Sequence, residues 1–174
     1  QNLFGSVSTV LCTHRHSDHY APDSMVRLGG SLTEMELFQT IETDRYRITA
    51  YPANHGTAEN PKHYAIQSKQ DGKAIFYGLD GAWLFYPVYR ELIRQRFDLM
   101  VFDATIGDIP GDYRIFEHNN LQMVEQMCAT LKPCCNRFII SHLARTLHTS
   151  HEALVKRMEP SGIEVAYDNL VLEI

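Results

Sequence analysis

The 174 residues are enough for one domain, and their composition, 44% hydrophobic and 21% charged, is that of a soluble globular protein. No apolar run approaches the roughly 18 residues that a membrane span needs, and no signal peptide is visible at the start. The formal net charge of −5 argues against the broad basic surface typical of nucleic-acid binding, although carboxylates that bind cations could account for part of it.

Cysteine usage suits a reducing cytoplasm, because the four cysteines contain no Cys-x-x-Cys pair. Cys12 and Cys128 lie in apolar patterns and are expected to be buried thiols. Cys134 and Cys135 follow Pro133 in a turn, where a reactive or metal-binding pair is the alternative to buried thiols. We favour buried thiols and expect a cytoplasmic protein.

The first predicted strand, Val7–Cys12, leads directly into a segment rich in metal-ligand residue types, 14–19 (HRHSDH). If the extended conformation continues to residue 16, His14 and His16 point to the same side. A turn at residue 17 then directs Asp18 and His19 towards a second point nearby. Imidazole and carboxylate are ligands for zinc, manganese and iron, so the segment predicts a support for two metal ions. A solvated histidine-rich turn is the alternative, but it does not require this composition after a buried strand.

Later strands also end at polar candidates. After a short helix predicted to end at Leu28, residues 45–53 alternate as a strand that ends before Asn54 and His55. Residues 63–68 and 73–77 form a hairpin around an Asp-Gly turn, and its second strand ends at Gly78-Leu79-Asp80-Gly81.

The second half alternates helices with apolar strands, which predicts α/β layers. A helix is expected over 87–96, and a strand buried on both faces over 98–105. Asn119 or Asn120 caps a helix that ends near Leu131. The remaining predicted elements are a strand over 137–141 ending at His142, a helix opened by the capping box Thr149-x-x-Glu152 and ending at Met158, and strands over 163–167 and 170–174.

The histidine-rich segment resembles the first metal motif of the metallo-β-lactamase superfamily. The later motifs follow in order: Asn54-His55, Gly78-Leu79-Asp80-Gly81, Phe102-Asp103-Ala104-Thr105, Glu117-His118-Asn119-Asn120, Ile140-Ser141-His142 and the tail from Pro160 to Asp168. The sequence looks most like the phosphodiesterase branch, in particular the phosphoribosyl cyclic phosphate phosphodiesterases of the carbon–phosphorus lyase pathway. It is more distantly similar to tRNase Z.

The resemblance implies an αββα sandwich formed by a single metallo-hydrolase domain over 1–174. Relatives have several strands before the first metal motif, whereas this sequence has only a short segment there. We therefore expect that part of the N-terminal sheet is absent, or that another element, such as a neighbouring subunit in a homodimer, fills its place.

The resemblance also implies the ligands. His14, His16 and His55 would hold one divalent metal ion, and Asp18, His19 and His142 a second, with Asp80 bridging the two. Zinc, manganese, iron and nickel are all compatible with such a site. A water bridging the metals would be the nucleophile.

The predicted catalytic residues are His118, Asp103 and Asp18. His118 stands where phosphodiesterase relatives place a catalytic histidine that is not a ligand, and it would protonate the leaving group. Asp103 would orient His118, and its alternative role is to support a metal ligand.

Other residues have weaker claims. Arg145 and His148 could meet a substrate phosphate, although surface roles are favoured, and Trp83 and Tyr86 could wall the pocket or belong to the core. We interpret His63 as structural. Arg15 is expected to project away from the metals, and His151 to be exposed.

We therefore expect a dinuclear phosphodiesterase for a small cyclic or ribose-linked substrate, with neither membrane nor nucleic acid as its partner. Three alternatives remain open. They are a tRNA-processing endoribonuclease, which the absence of a Gly/Lys-rich arm disfavours, a lactone, thioester or β-lactam hydrolase, and a non-catalytic metal-binding or partner-binding domain.

Overall fold

The computed structural model describes residues 9–17, 19–23 and 31–174, which form two sheets and a layer of helices. The small sheet pairs β1 (Thr9–Leu11) with β2 (Ser31–Thr33) in parallel. The strands of the large sheet are β3 (Thr40–Glu42), β4 (Tyr46–Pro52), β5 (Lys62–Ser68), β6 (Ala74–Gly78), β7 (Leu99–Asp103), β8 (Phe138–Ser141) and β9 (Ile163–Val165). The helices are α1 (Tyr86–Leu92), α2 (Leu121–Leu131) and α3 (His151–Met158), with 3₁₀ turns at Tyr113–Phe116 and Glu159–Ser161.

The large sheet changes from antiparallel to parallel along the chain. Strands β3 to β6 pair as an antiparallel meander, and β6 to β9 pair in parallel. Parallel neighbours need a crossover connection, and α1, α2 and α3 provide the three that this part of the sheet requires. The carboxyl ends of β6, β7 and β8 consequently lie side by side at one edge.

Each face of the large sheet packs against a different layer. On one face Phe76, Met100 and Ile140 are fully buried against the helices. On the other face Ile48, Ala50 and Tyr64 form a smaller cluster, against which Leu11 of β1 packs. The Tyr64 hydroxyl donates to the carbonyl of Cys12 at 2.6 Å, which fixes the end of β1 above the large sheet. None of the helices in the described part of the chain is long and apolar enough to cross a membrane.

Most predicted elements are confirmed, and three differ. Residues 170–174 do not form a strand, because a turn at Asn169 (φ 67°) precedes them, and the carbonyls of Glu173 and Ile174 accept from the side chains of Arg137 and Lys73 instead of a neighbouring strand. Helix α1 ends at Leu92 instead of residue 96. The N-cap of α3 is Ser150, not Thr149, since Ser150 Oγ accepts from Ala153 N at 3.3 Å. The helix predicted to end at residue 28 lies mostly outside the described residues.

The four cysteines are buried and unpaired, as we predicted. The Cys134 thiol donates to the Leu131 carbonyl, and the Cys135 thiol to the Arg137 carbonyl, both at 3.1 Å. Burial raises the pKa of both thiols. The neutral thiol is therefore favoured, so the pair has neither the exposure nor the thiolate character of a reactive or metal-binding site.

Gly107 illustrates how tightly the loop after β7 packs. A Cβ atom at this position would lie 2.4 Å from the backbone carbonyl oxygen of Leu147, which cannot move without displacing its loop. We expect Gly107→Ala to lower the free energy of unfolding by about 1–3 kcal/mol, measured by denaturant unfolding. In Gly56→Ala the added atom meets the Glu117 side chain at 3.3 Å and the Phe116 carbonyl oxygen at an ordinary 3.7 Å, so this control should lose less. Equal losses in the two variants would contradict the prediction.

Candidate metal centre

The candidate ligands are collected by strand ends. His14 and His16 follow β1, His55 follows β4, and Asp80 follows β6. Asp103 is the last residue of β7 and pairs in register with Ser141 of β8, which places the next residue, His142, beside it. In layered α/β folds sites form outside the carboxyl ends of strands, and these side chains meet at that edge.

The first predicted ligand set converges. Donor atoms of His14, His16 and His55 lie within 4.8 Å of one another. The ring centroids are 4.5 Å apart for His14 and His16, and 4.9 Å apart for His14 and His55. His55 Nε2 lies 3.4 Å from His16 Nδ1, so these two nitrogens face one point. Neutral imidazole nitrogens at this spacing can share one divalent ion.

Two of these rings are anchored through one nitrogen. His14 Nδ1 lies 3.0 Å from Thr13 Oγ1, and His55 Nδ1 lies 3.2 Å from the Glu117 carbonyl oxygen. His14 Nε2 is buried and has no hydrogen-bond partner in the described residues. A metal-binding histidine usually makes a hydrogen bond to an oxygen through one ring nitrogen and directs the other nitrogen to the metal. The buried Nε2 therefore fits a metal ion.

Asp80 links the second set. Its Oδ2 lies 3.1 Å from His19 Nε2, and its Oδ1 lies 3.0 Å from His142 Nε2. His14, His19 and Asp80 also form a group whose donor atoms are all within 4.8 Å. One carboxylate therefore faces a different histidine with each oxygen and touches both sets, as a bridging ligand would. Asp18, predicted for the second metal and for catalysis, lies outside the described residues.

The backbone at this edge is strained at two ligand positions. Asp80 (φ 53°) and His142 (φ 58°) both adopt left-handed conformations. Such conformations are disfavoured for residues with a Cβ and persist where surrounding structure holds them. Aspartate and histidine adopt this conformation more often than most residues that have a Cβ, which makes it tolerable at these two positions.

Beside the ligands, Asp103 is shared by two histidines. Its Oδ2 lies 2.8 Å from His118 Nδ1 and 3.4 Å from His142 Nδ1. The rings of His118 and His142 stack with centroids 5.4 Å apart and planes at 19°. Asp103 therefore contacts both the predicted acid and a predicted ligand, which combines the two roles that the sequence left as alternatives.

Comparison with known proteins finds the fold in solved structures only. The sequence matches no protein-family model and no curated protein. A diphosphatase from the PhnP family superposes with a TM-score of 0.69 at 17% identity, covering 99% of this chain and 60% of that one. The metallo-β-lactamase fold protein YhfI from Bacillus subtilis gives a TM-score of 0.71 at 12% identity, covering 98% and 79%. The chain has the metallo-β-lactamase fold.

Other structures agree with this assignment, and the predicted fold class is confirmed. The short form of human tRNase Z superposes with a TM-score of 0.70 at 15% identity, covering 100% of this chain and 82% of that one. This chain spans 60% of the length of the PhnP-family diphosphatase. Closeness to the phosphodiesterase branch stays a prediction.

Within the metallo-β-lactamase fold of this chain, the electrostatics favour one charge state for three of the predicted ligands. Hydrogen bonds to Asp103 and Asp80 raise the pKa of His142 to about 10, against the opposing effect of burial. Burial would raise the pKa of Asp80, but the hydrogen bond and charge of His142 and the charge of His19 outweigh it and lower that pKa. Burial, with the charge of His19, lowers the pKa of His14 to about 4. Without metal, His142 is thus protonated and His14 neutral near pH 7.

These shifts predict how the metal-free protein responds to pH. In the folded protein His142 binds its proton more tightly than it would at its ordinary pKa of 6.5. Its contribution to the free energy of unfolding is therefore complete below pH 6.5 and is lost as the pH rises towards 10. His14 binds its proton less tightly when folded, so stability also falls from pH 6.5 towards pH 4. We expect the thermal midpoint of the metal-free protein to peak between about pH 6 and 7.

Zinc loading should flatten the alkaline side of that curve. A metal ligand must be deprotonated, so zinc binding would displace the His142 proton. Stability would then no longer fall at high pH as His142 loses that proton. Thermal unfolding between about pH 5 and 9, with and without zinc, measures both curves. A metal-free midpoint that rises steadily to pH 9 would contradict the assignment.

Several weaker candidates lie away from the cluster. His148 Nε2 lies 2.7 Å from the Ala104 carbonyl oxygen and 3.1 Å from that of Thr105. These contacts connect the segment that carries His148 to the loop after β7, which is a structural role. Arg145 is exposed. Trp83 and Tyr86 are partly exposed and line a groove of about 260 Å³ with Met127 and Leu131, between α1 and α2.

Two predictions about charged side chains are confirmed. Arg15 turns to Glu34, with its Nη2 2.6 Å from the carboxylate, and so projects outward from the histidine cluster. His151 is exposed on α3 and packs edge-on against Tyr167. Neither residue belongs to the groups of donor atoms that could hold a metal among the described residues.

Thr105, for which no individual role was predicted, lies at the centre of these contacts. Its Oγ1 lies 2.7 Å from His142 Nδ1, 3.1 Å from Asp103 Oδ2 and 3.2 Å from His118 Nδ1. The Thr105 backbone N donates to Asp103 Oδ1 at 2.8 Å. Its position two residues after Asp103, at the end of a buried strand, was the available signal.

Proposed function

We propose that this chain is a dinuclear metal-dependent hydrolase, and specifically a phosphodiesterase for a small cyclic or ribose-linked phosphodiester. The observation that carries the proposal is the 2.8 Å contact between Asp103 and His118, placed directly against the ligand His142. A hydrolase needs a proton donor beside its metal site to release a poor leaving group. The Asp103–His118 pair is suited to that task.

The donor set fits two divalent ions. His14, His16 and His55 would hold the first and His19 and His142 the second, with Asp80 between them and Asp18 as a further expected ligand. Zinc, manganese, iron or nickel ions bound there would neutralise phosphoryl charge and lower the pKa of a bound water. Asp80 and Asp103 supply the negative charge that makes a two-cation site tolerable at this partly buried edge.

The roles of the remaining residues follow from their contacts. Asp103 holds His118 by Nδ1, so His118 Nε2 is the nitrogen that would meet the substrate. A proton at that atom can pass to the leaving alkoxide, while the contact with Asp103 keeps the ring in its orientation. Thr105 and the Asn119 backbone N, which lies 3.3 Å from Asp103 Oδ1, keep the carboxylate in place.

Two further observations support a small phosphate substrate. A diphosphatase from the PhnP family is among the solved structures with this fold, so the scaffold supports phosphate chemistry in another protein. The net charge of −5 disfavours a long polyanion. The four free, buried cysteines are compatible with the reducing cytoplasm that we propose as its location.

A substrate panel tests the proposal. The protein loaded with zinc or manganese should hydrolyse bis(p-nitrophenyl) phosphate and a ribose cyclic phosphate, and chelation should abolish the activity. A lactone, a thioester, a β-lactam and tRNA serve as the competing substrates. Preference for any of these, or a metal-loaded protein inert towards every phosphodiester, would overturn the phosphodiesterase assignment.

A further inference from the structure

Two buried polar side chains that the proposed mechanism does not use lie against the loop that carries Asp80. His63 and Asn119 are each 1% exposed. They approach the same residue, Gly81, from β5 and from the segment before α2. Residues so deeply buried and so close to a bridging ligand can determine where that ligand lies.

His63 forms a wall under the loop. A Cβ atom at Gly81 would lie 2.6 Å from His63 Nε2, so only glycine fits against the ring. On its other side the ring packs edge-on against Phe76, with centroids 5.7 Å apart. Neither ring nitrogen makes a hydrogen bond of good geometry in the part of the chain that the structure describes, but the ring interacts with the backbone of Leu79 and Asp80. The ring therefore acts on the loop through its shape and through these backbone contacts.

Asn119 holds the loop from another direction. Its Nδ2 donates to the Gly81 carbonyl oxygen at 2.8 Å, and its backbone N donates to Asp103 Oδ1 at 3.3 Å. The neighbouring Ala82 N donates to the Asn54 carbonyl at 2.8 Å. Asn119 thus connects the Asp80 loop to Asp103, and both polar groups of the peptide between Gly81 and Ala82 are held by hydrogen bonds.

We propose that His63 and Asn119 are positioning residues that hold Asp80 in its left-handed conformation, with one carboxylate oxygen directed to His19 and the other to His142. The strained backbone at Asp80 would otherwise relax, and the two oxygens would no longer face both histidines. This inference rests on the proposed function, since it assigns Asp80 to a pair of metal ions.

Asn119→Ala tests the inference through metal binding. The metal-free variant, titrated with zinc alone, should bind the first equivalent as the wild type does and the second about 10–100-fold more weakly. The matched control is Asn120→Ala, which removes the α2 N-cap contact to Met123 N at 2.8 Å and destabilises the same helix end. The control should bind both equivalents with unchanged affinity. Equal second-site losses in the two variants would overturn the proposal.

A coupling experiment tests the His63 wall. Gly81→Ala should weaken the second zinc site in the wild-type background, because the new methyl group meets the His63 ring. The same change should have no further effect once His63→Ala has removed that ring, so the two effects are not additive. Strictly additive effects would contradict the proposed contact between the His63 ring and Gly81. If His63→Ala does not fold by circular dichroism, His63→Leu replaces it in the same cycle.

The outcomes separate this inference from the proposed function. A wild-type protein that binds two zinc ions but cleaves no phosphodiester would contradict the substrate assignment. The zinc titrations of the variants would then still decide whether His63 and Asn119 position Asp80. A wild type that binds a single zinc ion would overturn both. If the affinity for the second zinc ion is unchanged in every variant, only the positioning roles of His63 and Asn119 are overturned.

Discussion

His118→Ala is expected to lower phosphodiester turnover by about 10²–10⁴-fold while the protein still binds two metal ions. The reason is the placement of His118 beside the ligands: its Nδ1 contacts Asp103, and its ring stacks on that of His142. Removing it takes away the proton for the leaving group without removing a predicted ligand. Metal content after dialysis and steady-state turnover are the two measurements.

The leaving group provides a sharper form of this test. A p-nitrophenolate departs without protonation, whereas the alkoxide of a ribose ester needs a proton in the transition state. The loss in His118→Ala should therefore be much larger for the ribose cyclic phosphate than for bis(p-nitrophenyl) phosphate. His151→Ala removes an exposed histidine and should change neither rate.

Two results would contradict the role of His118. Unimpaired turnover would remove it from the mechanism. Loss of a metal ion would instead make it a ligand, which is a real alternative because donor atoms of Asp80, Asp103, His118 and His142 lie within 4.8 Å of one another. The metal measurement therefore decides between acid and ligand.

The sequence could indicate candidate ligands because these residue types are chemically distinctive and follow apolar strands. His14 and His16 alternate along an extended segment, and His55, Asp80 and His142 each follow a recognisable strand. Strand ends in a layered sheet meet at an edge, so order along the chain translates into proximity. Strand order thus made it plausible that histidines as far apart along the chain as His14, His55 and His142 meet, and the family resemblance supplied their assignment to one site.

The supporting contacts could not be predicted in the same way. Thr105 has a common side chain, and the Glu117 group that contacts His55 is a backbone carbonyl, which carries no sequence signal. The left-handed backbone at Asp80 and His142 could not be predicted either, since aspartate and histidine tolerate this conformation but adopt it in only a minority of cases. These features depend on how the loops pack, and packing is set by the whole fold.

Two positions show how tertiary contacts decide what a local pattern leaves open. For His148 a surface role was favoured over contact with a substrate phosphate, and two carbonyls of the loop after β7 lie within reach of its ring. Residues 170–174 have an apolar strand pattern, yet side chains from Arg137 and Lys73 take their last carbonyls. In each case contacts with residues distant in the sequence, and not the local sequence pattern, determine the structure of the segment.

Asp80→Ala is expected to eliminate binding of the second metal ion and to lower turnover by more than about 100-fold, since changing residues that merely support a ligand already costs 10–100-fold. Asp80 is 6% exposed, and its two oxygens contact His19 and His142. No other carboxylate among the described residues contacts both of these histidines. Metal content after dialysis and turnover of bis(p-nitrophenyl) phosphate measure the two losses.

Asp80→Asn separates charge from shape, because the amide keeps the size of the side chain and loses its negative charge. The pKa of His142 should fall from about 10 in the metal-free variant, yet stay above its ordinary value, since Asp103 is the larger cause of the elevation. Proton NMR of the imidazole would follow that titration. Asp108→Asn, which alters an exposed ion pair with Arg157, is the control and should leave metal binding unchanged. An Asp80→Asn protein that retains two tightly bound ions and full turnover would show that this carboxylate does not bridge them.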